Sequence, residues 1–138
     1  MQTEEDLYSD LLGKPFEMGG DGINGYDCYT LSRAVCKRGG VNLPMKQTQL
    51  LATVDEIEAR SNAINIGKGE DYVRLEKPEP FCVVTFSIVP PYVTHMGLVL
   101  EDCISFIHIF KKRSVAIERL NHKLWESKIE GYFRYVGK

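Results

Sequence analysis

The stretch that organises this chain runs from Gly25 to Cys36 and reads Gly-Tyr-Asp-Cys-Tyr-Thr-Leu-Ser-Arg-Ala-Val-Cys. It joins a glycine-rich loop, residues 19–25, to a segment whose apolar side chains recur every three or four positions. This spacing predicts a helix with Asp27 or Cys28 at its N-cap or first turn. The first-turn amides of a helix are unpaired and its dipole is positive there, so the pKa of a thiol at this position is lowered. Cys28 is therefore predicted to be reactive.

Length and composition point to one soluble globular domain over residues 1–138, because 43% of the residues are apolar and 26% are charged. The net charge of -2 gives no reason to expect nucleic acid or an anionic membrane surface as a partner. The longest apolar runs have the length of strands, so no membrane span is predicted. The acidic start lacks the basic region of a signal peptide, and we expect synthesis in the cytoplasm without one.

The other cysteines are Cys36, Cys82 and Cys103, and each is predicted to be a small buried hydrophobe. No two cysteines form a CxxC pair, which argues against a zinc site or a thioredoxin-like motif. Their isolation is typical of a reduced compartment, although the sequence leaves one disulfide open.

The N-terminal half is predicted to be helical. Residues 4–12 carry one apolar stripe that Gly13 ends, the helix after Cys28 ends near Gly39, and another helix is predicted over about residues 46–60. Residues 61–70 read as a loop.

From residue 81 onward the pattern becomes β. Strands are predicted over residues 81–88, 94–100, 104–110, 114–120 and 132–136, and a loop with a helical turn around Trp125 is predicted between the last two. The first strand is apolar on both faces, which indicates a central position, and the short connections predict an antiparallel meander. The fold class is therefore predicted to be α+β, with N-terminal helices packed on a single antiparallel sheet of about five strands.

Two histidines are predicted to meet on this sheet. If residues 101–104 form a two- or four-residue turn, His95 lies opposite Phe110 and His108 lies opposite Gly97. The two imidazole rings then share one face as diagonal neighbours, and the glycine leaves room beside them. A three-residue turn would separate them, because a slip of one residue moves a side chain to the other face.

A cysteine nucleophile needs a base that holds it as a thiolate and protonates the leaving amine, and histidine suits both tasks. We therefore predict Cys28 as nucleophile, His95 as base and His108 as the group that orients His95. A metal site built from the same three residues is compatible with their placement, but no feature favours it, and no metal or cofactor is predicted.

Five stretches carry motifs that belong together: residues 13–20 with 24–28, 39–44, 94–100, 106–108 and 131–137, which read GKPFEMGG with NGYDC, GGVNLP, THMGLVL, FIH and GYFRYVG. As a set and in this order they resemble the NlpC-like cysteine peptidases, papain-like endopeptidases of bacterial cell walls. The resemblance implies a papain-like core. A short version without a leader is similar to members encoded with phage tails or prophages, which implies delivery to the wall by a phage particle or other machinery.

The resemblance also implies the reaction, namely hydrolysis of peptidoglycan stem peptides between D-glutamate and a diamino acid through a thioacyl intermediate. It implies that Asp27 helps to recognise the free amino end of the substrate. The chain departs from the family pattern near the cysteine. Tyr29 and Thr30 stand where the family has serine and glycine, and Phe16 replaces a tyrosine whose hydroxyl lies near the cysteine. Phe16 and Tyr29 are therefore predicted to border an altered substrate subsite.

Two other functions are compatible with the same residues. One is a structural module of a phage tail or secretion assembly that keeps the fold and has little activity. The other is a thiol acyltransferase or amidase that acts on a different substrate.

Overall fold

A computed structural model describes residues 4–17, 20, 22–43, 72–88, 93, 95–110 and 113–137. The N-terminal part contains two 3-10 helices, Glu4–Leu7 and Ser9–Leu11, followed by α1, Cys28–Arg38. The C-terminal part contains β1 (Tyr72–Leu75), β2 (Val83–Phe86), β3 (His95–Val99), β4 (Ser105–His108), β5 (Ala116–Arg119), α2 (Lys123–Glu126) and β6 (Ile129–Tyr135).

The strands form one six-stranded antiparallel sheet in the order β1-β6-β2-β3-β4-β5. Strands β2 to β5 follow one another as a meander, and β6 returns along the other edge of β2. The predicted α+β class, the single antiparallel sheet and the inner position of the first predicted strand are confirmed. All four side chains of β2 are buried, as an inner strand with both faces covered requires.

Alternation along the strands separates two apolar clusters, one on each face of the sheet. The first, which we call the α1-face cluster, packs against α1 and contains Leu31, Val35, Val83, Met96, Leu98, Ile107 and Phe133. The second, the Trp125-face cluster, contains Cys82, Val84, Phe86, Val99, Phe106, Leu120 and Trp125. The central strands are therefore buried on both sides.

Several predictions about elements need correction. Residues 4–12 form two short 3-10 helices rather than one regular helix. The sequence predicts no strand where β1 forms, at Tyr72–Leu75. Its residues are intermediate or exposed at the sheet edge, and they show none of the apolar alternation that marks a half-buried strand. Cys103 is only partly buried, because it lies in the turn between β3 and β4 with φ of 59°. The helix predicted at 46–60 and the loop at 61–70 lie outside the described residues.

Within the described part of the chain, no helix is long and apolar enough to cross a bilayer.

Candidate active site

Asp27 ends the glycine-rich loop and caps α1. Its Oδ1 accepts hydrogen bonds from the backbone amides of Tyr29 at 2.9 Å and Thr30 at 2.8 Å. The Thr30 hydroxyl in turn accepts a hydrogen bond from the backbone amide of Asp27 at 2.9 Å. This is a capping box in which threonine replaces the more usual glutamate or glutamine. The predicted helix start is confirmed, because Asp27 is the N-cap residue and Cys28 is the first helical residue.

Cys28 experiences two opposing influences on its thiol. Cys28 is the first residue of α1, where the aligned peptide dipoles of the helix are positive and favour an anion. Cys28 is, however, only 5% exposed within the α1-face cluster, and burial disfavours an anion. A proton acceptor close to the sulfur would decide the balance in favour of the thiolate.

The segment before Cys28 folds back on residues 15–17. The Tyr26 amide donates to the Pro15 carbonyl at 3.0 Å, and the Glu17 amide donates to the Tyr26 carbonyl at 2.9 Å. Gly25 has φ of 145°, and a Cβ atom there would lie 2.2 Å from the Pro15 carbonyl oxygen. Only glycine allows this close approach of the two backbones.

Residues 13–15 in turn bind the start of β5. The Gly13 amide donates to the Val115 carbonyl at 3.0 Å, and the Val115 amide donates to the Lys14 carbonyl at 2.9 Å. Val115 directly precedes Ala116, which pairs with His108 at the end of β4. The segment that carries Cys28 is therefore attached to the end of the sheet at which the histidines lie.

The two histidines are placed as the hairpin register predicts. Leu98 pairs with Ile107 and Val99 with Phe106, so the pairing continues to Gly97 opposite His108. A Cβ on Gly97 would lie 3.2 Å from the Cβ of His108, which confirms that the glycine leaves room at this position. The Nε2 atom of His95 lies 2.8 Å from the Nδ1 atom of His108, and each residue is 3% exposed.

Aromatic rings cover this pair on the Trp125 face. The His95 ring centroid lies 5.5 Å from that of Phe86, 5.1 Å from that of Phe110 and 5.8 Å from that of Trp125. Trp125 also lies 4.8 Å from the His108 ring, and α2 holds it there. Excluding water strengthens the hydrogen bonds between the buried rings.

Glu118 extends the pair to a third group that the sequence predictions did not include. Its Oε2 lies 2.6 Å from the Nε2 atom of His108. The pairing of β4 with β5 sets Glu118 opposite Phe106, so it shares a face with His108 as a diagonal neighbour. The same register argument that joined the histidines would have found Glu118, had the turn between β4 and β5 been assigned.

Ionisation of these two groups follows from their surroundings. Burial opposes ionisation of Glu118, but the nearby indole N–H of Trp125 and the hydrogen bond to His108 outweigh it and hold the pKa of the carboxyl below its usual value. Burial lowers the pKa of His108, and the adjoining Glu118 carboxylate only partly offsets this. Among the described residues, the indole N–H of Trp125 is the one buried side-chain polar group that lacks a hydrogen bond of normal geometry, so it lowers the pKa of the nearby Glu118 carboxyl without a well-formed hydrogen bond.

Tyr29 and Thr30 have structural roles next to Cys28. Thr30 supplies the second half of the capping box. Tyr29 is 4% exposed, and burial raises its pKa to about 12, partly offset by a hydrogen bond with Tyr72 on β1. The Tyr29 ring thus packs within the α1-face cluster, and its role at a substrate subsite stays a prediction.

Phe16 is half-buried against the α1-face cluster, and its backbone pairs with Tyr26 two residues before Cys28. Contact of Phe16 or Asp27 with a substrate stays a prediction. Two other thiols, those of Cys36 and Cys82, are unsuited to nucleophilic chemistry, because burial raises the pKa of Cys36 to about 12 and that of Cys82 to about 11. All four cysteines are free thiols.

An open groove of about 650 Å³ lies on the Trp125 face beside Glu118 and His108. Ile88 and Leu124 provide part of its apolar wall, and Arg113 and Lys128 provide its cationic side chains. Among the residues that the structure describes, no three His, Cys, Asp or Glu side chains converge as a metal site.

The model of the NlpC/P60 family matches residues 13–134. A sequence search of curated proteins finds no significant match. Among solved structures, the chain is similar to a protein of the NLP/P60 family from Staphylococcus aureus, described as similar to lipoprotein, with a TM-score of 0.60 and 22% identity over 99% of this chain and 41% of that one. It is also similar to an NlpC/P60 family protein from Bacillus cereus, with a TM-score of 0.65 and 21% identity over 98% and 41%.

A third similar structure is the NlpC/p60 domain of the peptidoglycan hydrolase SagA, with a TM-score of 0.57 and 14% identity over 96% of this chain and 99% of that one. At these identities the structures show a shared fold. The chain spans about two fifths of the length of the Staphylococcus and Bacillus proteins. Because the family model covers most of its residues, the chain belongs to the NlpC/P60 family, whose members are generally cysteine peptidases that hydrolyse peptidoglycan.

Proposed function

We propose that this chain is a cysteine peptidase that hydrolyses peptidoglycan stem peptides at a bond of the D-glutamyl–diamino acid type. Cys28 is the nucleophile, His95 is the base and His108 orients His95. The observation that carries the proposal is the buried His95–His108 hydrogen bond of 2.8 Å. It lies at the end of the sheet to which residues 13–15, and through them the Cys28 segment, are attached.

The proposed reaction uses these three residues in turn. The Cys28 thiol gives its proton to His95, and the thiolate attacks the amide carbonyl to form a tetrahedral intermediate. The backbone N–H of Cys28, at the positive end of α1, stabilises the oxyanion. His95 then protonates the leaving amine, and water hydrolyses the thioester to release the acid and restore the thiol.

The proposed reaction requires the Cys28 sulfur to lie next to the His95 ring. The His95 ring packs on the Trp125 face, whereas Cys28 belongs to the α1-face cluster. Each is the first residue of its element, so the sulfur and the ring are proposed to meet at the end of the sheet and not across it. Crystallography of the protein should place the Cys28 sulfur about 3 to 4 Å from a ring nitrogen of His95, and a fixed separation above about 8 Å would contradict the pairing.

Cleavage of purified muropeptides tests the function. The wild-type protein is expected to release a new amino terminus, and Cys28→Ala and His95→Ala are each expected to abolish release while circular dichroism shows a folded protein. Cys103→Ala is the matched control, because it removes a partly buried thiol from a distant turn and should leave cleavage unchanged. Cleavage by the folded Cys28→Ala protein would contradict the proposal.

Alkylation with iodoacetamide separates the proposal from its alternatives. Rapid labelling of Cys28 at neutral pH without muropeptide cleavage would favour acyl transfer or another amide substrate. Labelling no faster than a free thiol would favour a structural module. The substrate of the whole protein, and delivery to the wall by a phage particle or other machinery, are parts of the proposal that rest on the sequence resemblance.

A further inference from the structure

We propose that Glu118 is a positioning residue that acts through His108 to determine which nitrogen of His95 carries the proton. In this arrangement Nε2 of His95 is protonated and Nδ1 of His95 is the basic atom. The assignment of protons rests on the contacts of the three side chains. Its catalytic consequence rests on the proposed function.

The contact with Glu118 determines which nitrogen of His108 is protonated. An ionised carboxylate has acceptors only, so the 2.6 Å contact requires that Nε2 of His108 carries the proton and donates it. Despite burial, the hydrogen bond to His108, together with the nearby indole N–H of Trp125, holds the pKa of Glu118 below its usual value, so this carboxyl is ionised at neutral pH.

The position of the proton on His108 in turn determines which nitrogen of His95 is protonated. Burial lowers the pKa of His108, so at neutral pH its ring carries one proton, the one on Nε2. Its Nδ1 then offers a lone pair, and the 2.8 Å contact requires that Nε2 of His95 donates. A neutral His95 consequently has an unprotonated Nδ1, which is the atom able to accept a proton from a thiol.

Without an obligatory acceptor at Glu118, the hydrogen bond between the rings could run in either direction. The reversed direction places a proton on Nδ1 of His95 and leaves it without a basic atom on that side. Both rings are 3% exposed beneath aromatic side chains, so bulk water does not choose between the directions. Glu118, which contacts His108, determines this direction, and we call Glu118, His108 and His95 together the relay.

The surroundings of Glu118 contain several other groups that titrate or carry charge. His108 contacts it from β4 and Trp125 contacts it from α2. His122, the residue before α2, lowers the pKa of Glu118 through a charge interaction. Arg113 and Lys128 line the same groove. The Glu118 side chain is 33% exposed to this groove, so its charge is partly screened while its hydrogen bond to the buried ring is retained.

Histidine tautomers report the relay directly. Long-range ¹H–¹⁵N correlation spectra of the full chain at pH 7 should show His95 and His108 both protonated on Nε2. In Glu118→Ala the proportion of His108 with this tautomer should fall. A proton on Nδ1 of His108 in the wild-type protein, or an unchanged ratio in Glu118→Ala, would overturn the proposal. These spectra do not depend on the reactivity of Cys28.

Glu118→Gln provides a second measurement in a side chain of the same shape. Its amide can donate or accept, so both relay directions become available. We expect the rate of Cys28 alkylation at pH 7 to fall about tenfold, the factor that corresponds to one pKa unit. The kcat for muropeptide cleavage should fall by about the same factor, with KM little changed. The alkaline limb of the rate profile should move down by about one pH unit, the lower end of the effect of an adjacent charge.

Glu126→Gln is the matched control, because it removes an exposed carboxylate one residue after Trp125 and should leave both readouts unchanged. Wild-type kinetics in Glu118→Gln across the whole pH range would overturn the proposal. If the wild-type tautomers are as expected but Cys28 alkylates no faster than a free thiol, the proposed function fails and the proton assignment stands.

Discussion

Replacing Asp27 with alanine removes the side chain that caps α1 and holds Cys28 at the first helical position. The substitution deletes two accepted hydrogen bonds, of 2.9 Å and 2.8 Å, and the Tyr29 amide that made one of them is buried. Loss of an N-cap costs about 0.5 to 2 kcal/mol. We expect the upper end, about 2 kcal/mol, because a buried donor left without an acceptor adds about 1 kcal/mol or more.

Urea unfolding followed by circular dichroism measures this loss, with the slope m unchanged if the native and unfolded states keep their compactness. Thr30→Val is the matched partner, because it removes the other half of the capping box at nearly constant volume, and we expect it to cost about 1 kcal/mol. The two losses should be less than additive in the double variant, since they share one network. A loss below about 0.5 kcal/mol in Asp27→Ala, or strict additivity, would refute the capping argument.

Two further predictions concern the loop and the relay. Gly25→Ala should lower the free energy of unfolding by several kcal/mol and slow Cys28 alkylation, because the added Cβ would meet the Pro15 carbonyl at 2.2 Å. Gly40→Ala, also at positive φ but with open space around its Cβ, should cost only about 1 kcal/mol, and equal losses in urea unfolding would contradict the steric explanation. The folded-state pKa of His108 is lowered from 6.5, mainly by burial, so the unfolded chain binds the proton more readily and stability should fall as the pH drops below 6.5. The pKa of Glu118 is lowered from 4.5 by its hydrogen bonds against the effect of burial, which adds a second loss as the pH drops below 4.5. Urea unfolding at pH 7.5 and 5.5 should therefore show a smaller difference for His108→Gln than for the wild-type protein, and an identical difference would contradict the assignment.

The helix start at Cys28 and the meeting of the two histidines were predictable, because each depends on short stretches of chain. The capping chemistry of Asp27 lies within three residues of the helix that it begins. The alternation of strands β3 and β4, with a short turn between them, determines that His95 and His108 share a face. These are local constraints, and the printed sequence contains them.

Other features depended on contacts between distant segments. Strand β1 is partly exposed at a sheet edge, so only its pairing with β6 identifies it as a strand. The Tyr29 side chain packs in the core beside Tyr72, 43 positions later in the sequence, and no local pattern predicts that contact. Glu118 becomes part of the site only through the register of β4 against β5.

The sequence by itself therefore determined the position of Cys28 at the start of α1, the antiparallel sheet and the pairing of the two histidines. The tertiary structure alone decided that the Cys28 segment is attached to the histidine end of the sheet, that Trp125 covers the rings, and that Glu118 completes the relay. The physical reason is that helix caps and hairpin registers are set by neighbouring residues, whereas the protons of a buried relay are set by whichever side chains the whole fold brings into contact with it.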